Sequence, residues 1–135
     1  RSTRVVGHDT SPGKVERWRR IAKSAAQQSG RVRVPEIADV HDWDALLQTF
    51  AAYDRVFVPW ELAEPAPLRS TFEYDLAAAN DVLIVIGPEG GFAAEEVQAA
   101  RDAGAAAISL GRRILRTETA ALVVLAAIFY ARGEL

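Results

Sequence analysis

Apolar residues recur at helical spacing in several segments of the chain, and each of these segments predicts a helix. The first predicted helix covers residues 14–29, where Ser11 suits the N-cap, Pro12 suits the first turn and Gly30 suits the exit. The other predicted helices cover residues 42–53, 71–79, 93–103 and 117–131.

Short apolar runs predict three strands, over residues 55–59, 81–86 and 107–110. The run from Val82 to Ile86 contains no polar residue, which is typical of a strand covered on both faces in a parallel sheet. Residues 61–69 contain two prolines and predict a loop. Because strands and helices alternate without a repeat or a linker, we expect one α/β domain over residues 1–135.

The composition excludes several kinds of site. The chain has no Cys, so disulfides and thiolate nucleophiles are excluded, and its two imidazoles, His8 and His41, lack metal-ligand spacing. We therefore expect no metal. The apolar stretch over residues 120–131 is too short to span a bilayer, and no signal peptide opens the chain, so we expect no membrane partner.

Charge is distributed unevenly although the net charge is only −2. Residues 1–34 carry +7, residues 35–108 carry −11 and residues 109–135 carry +2. The excess of basic residues in the first third of a chain that is otherwise acidic indicates a local contact with a polyanion. The alternative is that these charges form the solvated face of a helix.

A glycine-rich segment, Gly-Pro-Glu-Gly-Gly-Phe at 87–92, directly follows the apolar strand at 81–86. Parallel α/β proteins bind ligands in such loops, because they lie beyond the carboxyl ends of the strands. The segment lacks the Lys-Ser/Thr of a P-loop and the spacing of a dinucleotide site. It also fits an ordinary turn, so both interpretations stay open.

A second loop carries three arginines, Arg112, Arg113 and Arg116, and leads into the apolar helix at 117–131. Thr117 is expected to cap that helix, which leaves Arg116 just outside its N-terminus. Exposure to solvent alone explains poorly why three arginines lie next to an apolar helix that must be buried. The alternative is that Arg112 and Arg113 are surface charges and that Arg116 pairs with Glu118 or Glu89.

Together, the segments at 86–92 and 110–120 resemble the signature of the SPOUT class of RNA methyltransferases. Within that class, the chain resembles the ribosomal RNA small subunit methyltransferase E family. The segments at 16–21, 25–31 and 34–37 are similar to that family's stretch upstream of the cofactor loops, so the resemblance covers almost the whole chain.

The resemblance implies a parallel sheet flanked by helices with a C-terminal deep trefoil knot, which no periodicity would predict. It implies a cytoplasmic homodimer that binds S-adenosylmethionine and methylates N3 of a uridine in the 16S rRNA of the small ribosomal subunit. It also implies that this chain lacks an N-terminal β-barrel (PUA-like) domain and the first strand and helix of the knot domain, so that residues 1–135 are an N-terminally truncated catalytic domain.

The same resemblance implies roles for individual residues. The implied cofactor-binding residues are Val58, Pro59, Trp60, Gly87, Pro88, Gly90, Gly91, Leu110, Gly111, Ile114, Leu115, Thr117 and Thr119. Ordinary core or interface packing explains Trp60 equally well. Arg116 is expected to stabilise the developing oxyanion of the base, with Glu89 and Glu118 as candidate proton acceptors. The implied RNA contacts are Arg1, Gln28, Arg31 and Arg33.

Three other functions stay open on the sequence. The chain is also compatible with a SPOUT enzyme for another rRNA or tRNA nucleotide, or with a knotted RNA-binding module without catalysis. An unrelated α/β nucleotide-binding domain is the third alternative. Calorimetry with S-adenosylmethionine against ATP or NAD separates this last alternative from the others.

Overall fold

The computed structural model of the protein describes residues 12–66 and 68–135. Arg1 and Ser11, which the sequence assigns to an RNA contact and a helix cap, lie outside the described residues. Two compact units divide the chain, the first ending at Leu46 and the second covering Leu47–Leu135.

Helix α1, Pro12–Gln28, dominates the described part of the first unit. Its predicted exit is confirmed: Gly30 has a positive φ of 67°, and the amide of Arg31 donates to the carbonyl oxygen of Ala26 at 2.9 Å. The Arg19 guanidinium donates to Asp39 at 2.8 Å and to the carbonyl oxygen of Ile37 at 3.3 Å. These bonds hold the segment after α1 against the helix.

The predicted helix over residues 42–53 is interrupted. The structure has a short helix α2, Trp43–Leu47, followed by a single 3-10 turn, Phe50–Ala52. Leu46 and Phe50 are both buried, so helical apolar spacing continues through the break and periodicity cannot detect it. Tyr53 is already extended, with φ −113° and ψ 145°, because a strand begins two residues later.

A parallel sheet of three strands organises the second unit, as the apolar runs predict. The strands are β1, Arg55–Pro59, β2, Val82–Ile84, and β3, Ala106–Ile108. Their order is β2-β1-β3, and Phe57 of the central strand is in register with Ile84 on one side and Ala106 on the other. The parallel α/β class is therefore confirmed.

The three remaining helices are α3, Leu68–Asp75, α4, Ala94–Asp102, and α5, Thr117–Ala131. The bounds of α5 match the prediction, whereas α3 begins within the segment predicted as a loop. At the start of α4 the amide of Ala93 donates to the Glu96 carboxylate at 2.9 Å, and Gly104 ends the helix with a φ of 98°. On α3 the Glu73 carboxylate accepts a hydrogen bond from Arg69, which raises the pKa of that guanidinium.

The core of the second unit lies between the sheet, α3 and α5. The rings of Phe57 and Phe72 meet edge to face with their centroids 5.3 Å apart. Val124 and Ile128 of α5 pack into the same cluster. Strand β2 is only partly buried, contrary to the expectation of full cover, because it lies at the edge of the described sheet. No described helix combines the length and the apolar character needed to cross a bilayer.

Candidate cofactor cleft

The glycine-rich loop over residues 87–92 leaves the carboxyl end of β2 and turns back sharply. The amide of Gly91 donates to the carbonyl oxygen of Pro88 at 2.9 Å, and Gly91 has a φ of 75°, a conformation that favours glycine. A Cβ at Gly87 would lie 3.1 Å from the Phe92 ring. The glycines at 87 and 91 are therefore required by the compact shape of the loop.

The second loop runs from Ser109, at the end of β3, to Arg116. Ser109 is buried, and its hydroxyl accepts a hydrogen bond from the amide of Gly111 at 3.3 Å. Gly111 has a φ of 102°, and a Cβ there would meet no atom within 4 Å. Ile114, Leu115 and Arg116, which follow this turn, border the same cleft as the glycine-rich loop.

Thr117 joins the two loops. Its hydroxyl donates to the carbonyl oxygen of Gly87 at 3.2 Å. The expectation that Thr117 caps α5 is wrong, because Thr117 is the first helical residue and Arg116 takes the N-cap position without a side-chain cap bond. The hydroxyl therefore holds the glycine-rich loop beside the start of α5.

Trp60 supports the site from the carboxyl end of β1. Its backbone amide donates to the carbonyl oxygen of Ile108 at 2.9 Å, and its indole N–H donates to the carbonyl oxygen of Phe92 at 3.3 Å. The Arg101 guanidinium of α4 lies 5.8 Å from the centre of the ring. Trp60 thus ties β3, α4 and the end of the glycine-rich loop together.

These segments enclose two adjoining clefts in the second unit. The wider cleft has a volume of about 650 Å³ and is bordered by both loops. The narrower one has a volume of about 80 Å³ and lies between Trp60 and the second loop. Both clefts are bordered by Pro59, Glu61, Ile114, Leu115 and Ala120.

The structure brings most of the expected cofactor residues to these clefts. The wider cleft is bordered by Gly87, Pro88, Gly90, Gly91 and Thr117, and the narrower one by Trp60, Leu110 and Gly111. Val58 is 1% exposed and lies in the core of the sheet, because it is the fourth residue of the central strand. Thr119 is exposed and borders neither cleft.

The three expected catalytic residues, Arg116, Glu89 and Glu118, are exposed and border the wider cleft. Among the described residues, Arg116 forms no ion pair with either carboxylate. Its guanidinium is therefore available to a ligand, and the alternative of a structural pair finds no support. Within residues 12–66 and 68–135, no group of three or more His, Asp and Glu side chains is placed to hold a metal ion.

The expected RNA contacts that the structure describes lie in the first unit. Gln28 ends α1, and Arg31 and Arg33 follow it in an irregular segment, all three with exposed side chains. Val32 between the two arginines is fully exposed.

Sequence reasoning missed Glu61, which borders both clefts. The sequence carries a signal that would have found it. Glu61 comes two residues after β1 ends, and ligands in parallel α/β proteins bind beyond the carboxyl ends of the strands.

The second unit is a parallel α/β unit with a cleft between two strand-end loops, the place where proteins of this class bind small-molecule ligands. The chain belongs to the RNA methyltransferase domain family, whose match covers residues 1–129. It is 42% identical over 120 residues to ribosomal RNA small subunit methyltransferase E of Bacillus subtilis, covering 87% of this chain and 47% of that protein. The protein of that name from Mycobacterium tuberculosis is also 42% identical, with 84% and 44% covered.

A solved structure agrees with these relatives. The ribosomal RNA small subunit methyltransferase E of Neisseria gonorrhoeae, bound to S-adenosyl methionine, superposes with a TM-score of 0.74 at 28% identity, covering 94% of this chain and 52% of that one. The expected resemblance to this family is therefore confirmed. The chain spans about half the length of the curated relatives it matches.

Proposed function

We propose that the chain methylates N3 of a uridine in 16S rRNA of the small ribosomal subunit, with S-adenosylmethionine as methyl donor. The observation that carries the proposal is the hydrogen bond from Thr117 to Gly87, which brings two loops that are distant in sequence to one cleft. Membership of the RNA methyltransferase domain family and the names of the relatives support the same reaction.

The residues present fit this cofactor. The wider cleft has a volume of about 650 Å³, within the ~300–1,000 Å³ typical of small-molecule sites. Leu110, Ile114 and Leu115 give the narrower cleft apolar walls that suit a flat adenine ring. Side chains are absent at Gly90 and Gly111, where a Cβ would meet only open space, so a ligand can approach the backbone closely.

The reaction needs a positioned base and a path for one proton. When bound, S-adenosylmethionine supplies an electrophilic methyl carbon and needs no metal. The Arg116 guanidinium stabilises the negative charge that the uracil oxygens acquire as N3 loses its proton. Glu89 and Glu118 border the same cleft with exposed carboxylates and are the candidate proton acceptors.

The RNA contacts are assigned to exposed polar residues at the end of α1 and just after it. Arg31 and Arg33 neutralise backbone phosphates, and Gln28 offers an amide to the RNA. Such contacts bind without regard to sequence, so a base turned out of its stack into the wider cleft supplies the selectivity. Because its proposed substrate is ribosomal RNA, we place the protein in the cytoplasm.

We also propose the knotted SPOUT arrangement and a homodimer. The bond between Thr117 and Gly87, which packs the start of α5 against the glycine-rich loop, supports the first. The dimer is supported by α5, where Leu122, Leu125 and Phe129 are 70%, 43% and 42% exposed and lie on one face at i, i+3 and i+7 spacing.

The decisive experiment is mass spectrometry of small-subunit rRNA after incubation with the full-length protein that contains these residues and isotope-labelled S-adenosylmethionine. We expect the label on N3 of one uridine. Label on another base or on a ribose would establish a different methyltransferase, and cofactor binding without any label in the RNA would establish a binding module.

A further inference from the structure

Glu61 lies where the two clefts meet. Of the five residues that border both clefts, it is the one with a polar side chain, the others being Pro59, Ile114, Leu115 and Ala120. A ligand that extends from the narrower cleft into the wider one therefore passes the Glu61 carboxylate.

The carboxylate rests on the backbone of the glycine-rich loop. A Cβ at Gly91 would lie 2.6 Å from Oε1 of Glu61 and 3.5 Å from Oε2, so both oxygens are close to the bare backbone. Within the described ranges 12–66 and 68–135, this carboxylate has no hydrogen-bond or ion-pair partner. It lies near the loop and keeps its acceptor capacity for a ligand.

The proposed function indicates which part of the cofactor reaches Glu61. In that proposal adenine packs against Leu110, Ile114 and Leu115 of the narrower cleft, and the reacting sulfur lies in the wider cleft, which Arg116 borders. The ribose joins these two parts of the molecule, and it carries two neighbouring hydroxyls. An ionised carboxylate is an acceptor with two oxygens, which matches a pair of hydroxyl donors.

We propose that Glu61 binds the 2′ and 3′ hydroxyls of the ribose of S-adenosylmethionine and so selects a ribonucleoside cofactor. This inference rests on the proposed function. An acidic residue at a strand end has the same task in other parallel α/β nucleotide sites. Hydrogen bonds to a charged group are strong enough that losing them costs about tenfold to a hundredfold in affinity.

The positive φ of 75° explains why residue 91 is glycine, and the short distance to Glu61 shows what a side chain at 91 would move. A side chain at 91 would displace the Glu61 carboxylate, whereas residue 90, whose Cβ would meet nothing within 4 Å, is free of that restriction. The absence of a side chain at residue 91 thus leaves room for the carboxylate at the position where it lies.

Calorimetry on the folded chain tests the inference with S-adenosylhomocysteine and 5′-methylthioadenosine, which shares the ribose but lacks the amino acid. The variant is Glu61→Gln, which keeps the volume beside Gly91. The matched control is Glu64→Gln, an exposed residue of the same segment that borders neither cleft. We expect Glu61→Gln to weaken both ligands about tenfold or more and Glu64→Gln to weaken neither.

A second experiment changes the ligand by using deoxy analogues of 5′-methylthioadenosine, and it compares the unmodified chain with Glu61→Gln. Loss of the 2′ or 3′ hydroxyl is expected to weaken binding to the unmodified chain and to have a much smaller effect in Glu61→Gln. An equal loss in both proteins would overturn the inference, because the hydroxyls would then bind elsewhere.

The remaining outcomes separate this inference from the proposed function. If Glu61→Gln weakens S-adenosylhomocysteine but not 5′-methylthioadenosine, the carboxylate contacts the amino acid part and the inference is wrong. Unchanged binding of both ligands in the variant also overturns it while leaving the proposed function intact. If the unmodified chain binds neither ligand, the proposed function itself fails.

Discussion

Thr117 and Gly87 are separated by 30 positions in the sequence, and a hydrogen bond of 3.2 Å joins the hydroxyl of one to the carbonyl oxygen of the other. The bond connects the first residue of α5 to the start of the glycine-rich loop. Both residues are partly buried, so water does not fully replace the bond if it is lost. The position of the glycine-rich loop, and with it the shape of the wider cleft, therefore depends on where α5 begins.

Thr117→Val removes that hydroxyl while keeping the shape of the side chain. We expect the free energy of unfolding to fall by about 1 kcal/mol, because the Gly87 carbonyl loses its partner. Affinity for S-adenosylhomocysteine falls several-fold as the loop loosens. Denaturant melts and calorimetry measure the two effects.

The matched control for this change is Thr117→Ser, which retains the hydroxyl and restores both quantities to near the values of the unmodified chain. If Thr117→Ser behaved like Thr117→Val, the methyl group rather than the hydrogen bond would hold the loop.

Arg116→Ala tests the proposed role of the guanidinium in the wider cleft. Because Arg116 is exposed and has no ion-pair partner among the described residues, its loss leaves the fold intact. We expect single-turnover methyl transfer to small-subunit rRNA to fall about 10²–10³-fold, the range for losing a donor to a developing oxyanion. Affinity for S-adenosylhomocysteine should remain within about twofold, which separates chemistry from cofactor binding.

Arg112→Ala is the control for charge, because Arg112 lies in the same loop, is exposed and borders neither cleft. A comparable fall in transfer with Arg112→Ala would show that the basic character of the loop matters rather than the position of Arg116.

The elements of the fold that the sequence predicts correctly depend on local signals. Helix α5 is predicted with its observed bounds because its apolar run is continuous and Glu118 lies in its first turn. The exits at Gly30 and Gly104 are equally local, since a positive φ favours glycine. These features depend on residues close together in the chain.

The site could be predicted only in part, because hydrogen bonds between residues far apart in the sequence bring its segments together. The spacing of residue types along the chain does not predict such contacts. Trp60 and Phe92 are 32 positions apart, yet one hydrogen bond joins them. The sequence predicts that the hydroxyl of Thr117 caps α5, but this hydroxyl donates to the carbonyl oxygen of Gly87 instead. Glu61 differs from these cases, because its position two residues after β1 is a local signal that indicates a ligand site.

Gly91→Ala tests the close approach of the glycine-rich loop to Glu61. Alanine at a φ of 75° costs about 1–2 kcal/mol of stability, and its Cβ would also lie 2.6 Å from Oε1 of Glu61. We expect both a lower free energy of unfolding and a loss of affinity for S-adenosylhomocysteine of about tenfold or more.

Gly133→Ala isolates the backbone part of this effect. Gly133 has a similar φ of 70°, but its Cβ would meet nothing within 4 Å. We expect a similar loss of stability without a loss of affinity. If the two variants lost affinity equally, contact with Glu61 would not be the cause.

The double variant Arg31→Gln, Arg33→Gln tests the proposed RNA contacts after α1. Removing two phosphate contacts reduces the slope of log affinity against log salt concentration by roughly 1–2. Filter binding of small-subunit rRNA across a salt series measures the slope. Arg69→Gln is the control, an exposed arginine on α3 whose ion pair with Glu73 at 2.8 Å gives it another role. An unchanged slope in the double variant would place the RNA elsewhere.

Leu122→Glu tests the proposed dimer on the exposed face of α5. Leu122 is 70% exposed and shares its face with Leu125 and Phe129, so an added carboxylate would be buried without a partner in a dimer formed there. We expect sedimentation equilibrium to show the mass of one chain for the variant and twice that mass for the unmodified protein.

Leu135→Glu adds the same charge at a residue that is 76% exposed and lies beyond α5, and it should leave the dimer unchanged. A dimer that persists in Leu122→Glu would move the interface off this face, because a buried unpaired charge is too costly to be tolerated in it.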